Sequence, residues 1–264
     1  MAYLLKFFLR DGLHSRRTLW LALLGFVPVG CAVLLWLLKA VLRDFDISLS
    51  TLFPQVSFAF YLHFLLPLMS IFIGSAVIAD EVEERTLPYL LTRPVARPVF
   101  MLAKILTGVL TAGFILFISL GMTYTIMVLD KGFGGWLSDI SMLFRSGAVI
   151  VLGLLVYVPL FGIFGGLLKR PVLLGFLFAF GWEGSVAFLP GNVKLLTVVH
   201  YLHVLFPQMK KVQLTDARTI LNILVPAREV SAGVAVLILI VLAALFIVLC
   251  AALPSMKEYR LERE

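Results

Sequence analysis

The sequence predicts an all-α integral membrane protein with six membrane-crossing helices, and three observations lead there. Hydrophobic residues make up 61% of the chain's 264 positions and charged residues 14%, whereas soluble domains carry about one-quarter charged residues. The mean hydropathy is +1.06. The apolar residues gather into six runs, each close to or above the roughly 20 residues that cross a bilayer. Those runs and their connections use up the chain, so a single transmembrane domain over 1–264 is expected and a soluble catalytic domain is not.

The formal charge of +7 comes from bases scattered through short loops, with no basic face of the kind that binds nucleic acid. Anionic lipid headgroups are the expected partner, and no nucleic acid is expected. Cys31 and Cys250 lie inside apolar runs and read as small buried hydrophobes. Lys6 and Arg10 interrupt the first apolar stretch and no small-residue cleavage site follows, so no signal peptide is expected.

Residues 1–18 come first. Lys6, Arg10, His14 and Arg17 recur at helical spacing opposite Leu5, Phe8, Leu9 and Leu13, the pattern of an interfacial amphipathic helix. A first span is expected over about 19–38, with Pro28 and Gly30 as kink points. The second covers about 58–79 and the third about 99–129. Between the third and fourth, Lys131-Gly132-Phe133-Gly134-Gly135-Trp136 reads as a tight, glycine-rich reversal at headgroup level. The fourth span is expected over about 146–168 and the fifth over 172–189, joined by Lys169-Arg170-Pro171. A connection of some forty residues leads to the sixth, about 231–253.

Orientation follows from the short loops, where cytoplasmic segments carry the excess of Lys and Arg. An inside N-terminus places thirteen bases on the cytoplasmic side and four in the two short outer loops. Both termini are therefore expected in the cytoplasm, and so is the segment between the second and third spans.

That segment, 80–98, is the most informative stretch of the chain. Asp80, Glu81, Glu83 and Glu84 precede Arg85, Arg93 and Arg97, the charge order that a short helix favours at its two ends. Glu81 and Arg85 can pair four residues apart, while Leu87, Leu90 and Leu91 supply an apolar side. Pro94 and Pro98 return the chain to the membrane. Glu84-Arg85-Thr86-Leu87, Leu90-Leu91, Arg93-Pro94-Val95-Ala96-Arg97 and Lys104 together resemble the signature segment of ABC type-2 transporter permeases, the membrane subunits of many bacterial exporters. The commoner family form has Gly where Arg85 stands.

The resemblance implies a coupling helix that fits a groove on a separate ATPase subunit, with Glu81, Glu83, Glu84, Arg85, Thr86, Leu87, Leu90, Leu91, Arg93 and Arg97 as the coupling residues. It also implies a dimer of ATPase subunits, a second permease chain, most simply an identical one, a bacterial inner-membrane location and short outer helices between the last two spans. A periplasmic accessory protein is a further expected partner. No phosphate loop exists in this chain; the nearest approach, Gly162 to Lys169, has the wrong spacing and lies within a span. No cofactor is expected here, and ATP and Mg would belong to the partner subunit. Gly162 and Gly166 form a small-x-x-x-small pair suited to close helix packing.

Three side chains stand out as candidate pathway or gate residues. Glu183 lies in the fifth span, where an ionised carboxylate costs roughly 2.5 to 3.5 kcal/mol on insertion scales and must face protein or water. It either lines the translocation path or binds a cationic substrate, or else caps a helix after a break at Gly181 or bonds the neighbours of Trp182; Trp182-Glu183-Gly184 also resembles an element of related permeases. His200 and His203 lie with Lys194 and Thr197 on a three-residue repeat, read as one interfacial or re-entrant helix ending at Pro207. Their spacing would also serve a metal, but no third ligand is near. His63, four residues before Pro67, is expected to bond a carbonyl that the proline frees.

The expected function is the permease subunit of an ATP-driven exporter. The 22 phenylalanines fit a lipid-like or amphipathic cargo better than a sugar. Two rivals come from other classes. A membrane-embedded lipid enzyme would need clustered acids, bases or metal ligands, and a membrane anchor or mechanical transducer would use the same acidic segment without moving a cargo.

Overall fold

The computed structural model describes residues 16–41, 49–83, 97–128, 132–186, 192–206 and 230–256, and among them every regular element is helical. Helices α1 (Arg16–Gly25) and α2 (Val27–Val41) form one broken rod. Helix α3 (Leu49–Val56) runs through a π-helical stretch, Ser57–Leu65, into α4 (Leu66–Glu83). Then come α5 (Arg97–Val128) and α6 (Gly132–Leu167). A composite rod follows, made of α7 (Pro171–Phe176), a second π stretch (Leu177–Glu183) and the single turn α8 (Gly184–Val186). A 3-10 turn (Asn192–Leu196), the short helix α9 (Val198–Leu205) and α10 (Ala232–Met256) complete the order.

Among the described residues, five helices are long and apolar enough to cross a membrane: Thr18–Val41, Leu49–Ile78, Pro98–Val128, Gly134–Leu167 and Ala232–Leu253. The fifth expected span, about 172–189, is shorter in the structure. Its rod, Pro171–Val186, reaches about 24 Å at 1.5 Å per residue against a hydrocarbon core of about 30 Å, and residues 187–191 lie outside the described set. The 32 residues of α5 and 36 of α6 instead exceed that core, at about 48 and 54 Å.

Proline explains the break in the first rod. Pro28 has no N–H to donate to the preceding turn, and the helix interrupts at Phe26, whose N–H reaches Ala22 O at 3.1 Å and Leu23 O at 3.2 Å. Gly30 is not a kink point; it sits inside α2 with open space around it. The break is held from α5, where Ser119 Oγ donates to Gly25 O at 2.6 Å. Tyr61 Oη, from the π stretch, bonds Ser119 Oγ at 2.7 Å and Thr123 Oγ1 at 2.8 Å. One buried polar chain thus ties the first three rods together, and interhelical bonds of this kind hold helices where lipid supplies no hydrophobic drive.

Close backbone contact fastens α4 to α6. A Cβ on Gly74 would lie 2.5 Å from Val158 O, and one on Gly165 would collide with Ser75 O. Gly162 meets Cys250 Sγ of α10 in the same way, at 2.8 Å. Gly74 and Gly165 therefore carry the tight α4–α6 seam, and Gly162, as its small-residue spacing suggests, sits at a close helix contact of its own, with α10. Cys31 and Cys250 are both free thiols.

The glycine-rich stretch after α5 is not the reversal that its composition suggests. Only Gly132 takes a left-handed conformation, at φ 68°, and the helix runs on through Gly134, Gly135 and Trp136. Tyr124 secures this start, donating to Trp136 O at 2.6 Å and packing on the indole. Helical bonds thereby begin well before residue 146.

Of the expected amphipathic helix over 1–18, residues 1–15 lie outside the described set, and Arg16, Arg17 and Thr18 lie in the backbone of α1.

Candidate functional site: a helix held at both ends

The expected single helix through Lys194, Thr197, His200 and His203 is divided. Thr197 takes an extended conformation, φ −107° and ψ 139°, and its Oγ1 donates to Lys194 O at 2.7 Å. Breaking the helix there gives α9 a fresh N-terminus whose first N–H groups have no partner within the helix. Glu183 supplies them: Val198 N donates to Oε1 at 3.1 Å and Val199 N to Oε2 at 3.0 Å.

A carboxylate at this end of a helix accepts two orphan donors and meets the positive end of its dipole. Tyr157, from the middle of α6, donates its hydroxyl to Oε2 of the same carboxylate. Glu183 is 1% exposed, so three donors offset the loss of water at an acid buried between helices. The glutamate does cap a helix, but one that begins fifteen residues later.

The other end of α9 meets the second span. His203 Nε2 lies 3.0 Å from His63 Nε2. His63 Nδ1 is 3.2 Å from Phe58 O; a carbonyl can only accept, so Nδ1 carries the proton, Nε2 of His63 accepts and Nε2 of His203 donates. The carbonyl that His63 bonds belongs to the π stretch, rather than to the residue facing Pro67. Phe58 packs on both imidazoles, with each centroid separation 4.6 Å, and on Phe206 at 5.6 Å.

Between the two ends, Val198, Val199, Tyr201 and Leu202 are buried, and α9 packs against α10 and α6. Gly153 of α6 admits Leu202: a Cβ there would lie 3.2 Å from Leu202 Cδ1 and 2.5 Å from Leu66 Cδ1. His203, outside the candidate spans, is pushed down to about 3 by burial first, then by His63 and His200. His200 is held below the usual imidazole range by burial and then by Lys194, and its Nε2 is buried with no hydrogen-bond partner among the described residues.

The structure thus brings Glu183 and His203 to opposite ends of one short helix and leaves His200 on its flank. Among the described residues no group of three or more His, Cys, Asp or Glu could hold a metal, and His203 turns to His63 rather than to His200. Tyr157 and His63 are the partners that the sequence reading did not connect to this helix. A signal existed: a tyrosine hydroxyl and a histidine at mid-span each require a partner within the bundle.

Of the expected coupling residues, Glu81 and Glu83 lie in the backbone of the last turn of α4, continuous with the span, and Arg97 opens α5. Glu84, Arg85, Thr86, Leu87, Leu90, Leu91 and Arg93 lie outside the described residues.

Apolar rods joined by buried hydroxyl and carboxylate bonds define a multi-pass membrane protein. The sequence model described as ABC-2 family transporter protein matches residues 13–181, well over half of the chain. The chain belongs to that family, whose members are membrane components of transporters. No curated protein matches it. The family match stops two residues before Glu183, so Glu183, α9 and His203 follow the matched region.

Proposed function

We propose that this chain is the permease subunit of an ATP-driven exporter in a bacterial inner membrane, with six spans, both termini cytoplasmic and ATP hydrolysed on a separate subunit. The family match over residues 13–181, which contains the acidic segment 80–98, carries the reading. The permease does no chemistry of its own. Two ATPase subunits would close on nucleotide and push on the segment from Glu81 to Leu91, with Glu83, Glu84, Arg85, Thr86, Leu87, Leu90, Arg93 and Arg97 forming the rest of the contact. A second copy of the chain would complete the pathway.

The packing supports transmission along the second span. Helix α4 runs unbroken from Leu66 to Glu83, and its seam with α6 at Gly74 and Gly165 has no slack, so the two helices move as one body. Above them the π stretch offers a place to bend. It carries His63 to α9, so a push at the cytoplasmic end would arrive at the helix capped by Glu183. We read α9 as an outer gate element on that basis, and the phenylalanine-rich rods as suited to a lipid-like cargo.

Extraction of the tagged chain from its native membrane should bring an ABC ATPase with it. ATP-dependent movement of cargo into or out of sealed vesicles then separates a permease from a mechanical transducer. An ATPase that copurifies without cargo movement supports the transducer, and no ATPase at all overturns both.

A further inference from the structure

We propose that the His63–His203 pair is a proton-sensitive latch that keeps α9 docked while both imidazoles are uncharged and releases it on acidification. The geometry carries this. The two Nε2 atoms face each other at 3.0 Å and share one proton, with the direction fixed by the His63 bond to Phe58 O. A proton added to both rings would set two N–H groups and two positive charges face to face. A single added proton would leave the shared bond in place but bury an imidazolium against the Phe58 ring, and burial disfavours the charged form. The docked state therefore binds fewer protons than the released one, and acid favours release.

The neighbouring groups reinforce this sign. The positive charge that His200, on α9 itself, and His63, from the second span, carry when protonated opposes a proton on His203, and the Lys194 ammonium of the 3-10 turn opposes one on His200. From α6 and the seventh-to-eighth helix rod, Tyr157 and Glu183 engage each other and the opposite end of α9. Helix α10 has Cys250 as its sole titratable side chain, beside Gly162. The depressed value at His203 follows the same direction: docking stability is fully present above the ordinary histidine range and is lost as pH falls through it.

A histidine titrating at about 6.5 once released makes the open fraction rise about tenfold between about pH 7.5 and pH 5.5. That the sensed proton comes from the outer compartment rests on the orientation proposed above; the latch itself does not, so the test needs neither ATPase nor cargo.

The test is hydrogen exchange at the Val198–Leu205 amides in the full chain in lipid nanodiscs, corrected for intrinsic exchange rates. Opening should rise about tenfold on acidification in the native chain and in His200→Gln. It should change less than twofold in the double variant His200→Gln with His203→Gln, where glutamine can bond His63 without titrating. Equal opening at both pH values in the native chain overturns the proposal, as does a tenfold response that survives in the double variant, which would place the sensor away from the His203 bond. Nitrogen NMR of labelled histidine in the native chain gives a second readout that no substitution can spoil. It should show His63 protonated at Nδ1 and His203 at Nε2 at neutral pH; any other tautomer pair refutes the latch.

Discussion

Removing the Glu183 carboxylate tests the anchoring of α9 most sharply. Three donors converge on it: the N–H groups of Val198 and Val199 and the Tyr157 hydroxyl. Glu183→Ala leaves all three buried and unpaired, and an unsatisfied buried donor costs about 1–3 kcal/mol. Relaxation and water entry reduce the sum, since measured interhelical bonds in membranes average only about 0.6 kcal/mol. A net loss of about 2–4 kcal/mol remains reasonable for three donors at a charged acceptor. That corresponds to a shift of about 30- to 1,000-fold towards undocked α9.

Glu183→Gln keeps one oxygen and turns an amide group towards the remaining donors, so its effect should be smaller, about 1–2 kcal/mol. Tyr157→Phe, which leaves both backbone N–H groups satisfied, should be smaller still. Site-resolved hydrogen exchange over Val198–Leu205 in lipid reads the series, with α5 and α6 as internal references. Expected exchange rates follow the order Ala above Gln above Phe above native. Unchanged protection of α9 in Glu183→Ala would refute the reasoning, because a buried acid with three donors would then contribute nothing to the helix it caps.

Two further predictions concern the frame. Gly165→Leu should separate α4 from α6, because even a first carbon at that position collides with Ser75 O; the folded yield in detergent should fall severely, whereas Gly30→Leu, in open space, should leave it intact. Ser119→Ala removes the donor to Gly25 O and one of two partners of Tyr61 and should lower unfolding stability by about 1–2 kcal/mol, read by thermal denaturation in nanodiscs.

Composition and apolar run length made the membrane class and the third and sixth spans legible, because the cost of backbone polar groups in lipid leaves helices as the available solution for such runs. Boundaries were less legible where backbone geometry overrode composition. Gly134 and Gly135 read as a turn, yet the Tyr124 bond to Trp136 O draws them into α6. The repeat of Lys194, Thr197, His200 and His203 read as one helical stripe. The repeat holds in sequence, but Thr197 leaves the helix and creates the N-terminus that Glu183 caps. Glu183 was visible as a costly charge and His63 as a polar residue beside a proline. Their partners were not visible, since Tyr157 is 26 residues from Glu183 and His203 is 140 from His63. Periodicity reports the face of one helix and carries no information on which faces meet.

The measurement that bears most directly on the account is the effect of Glu84→Lys on the partner ATPase, with membrane insertion monitored in parallel. The account predicts normal insertion with reduced ATPase copurification and reduced cargo-coupled hydrolysis, because the reversed charge sits where the ATPase would dock. Normal copurification and normal coupling in that variant would contradict it.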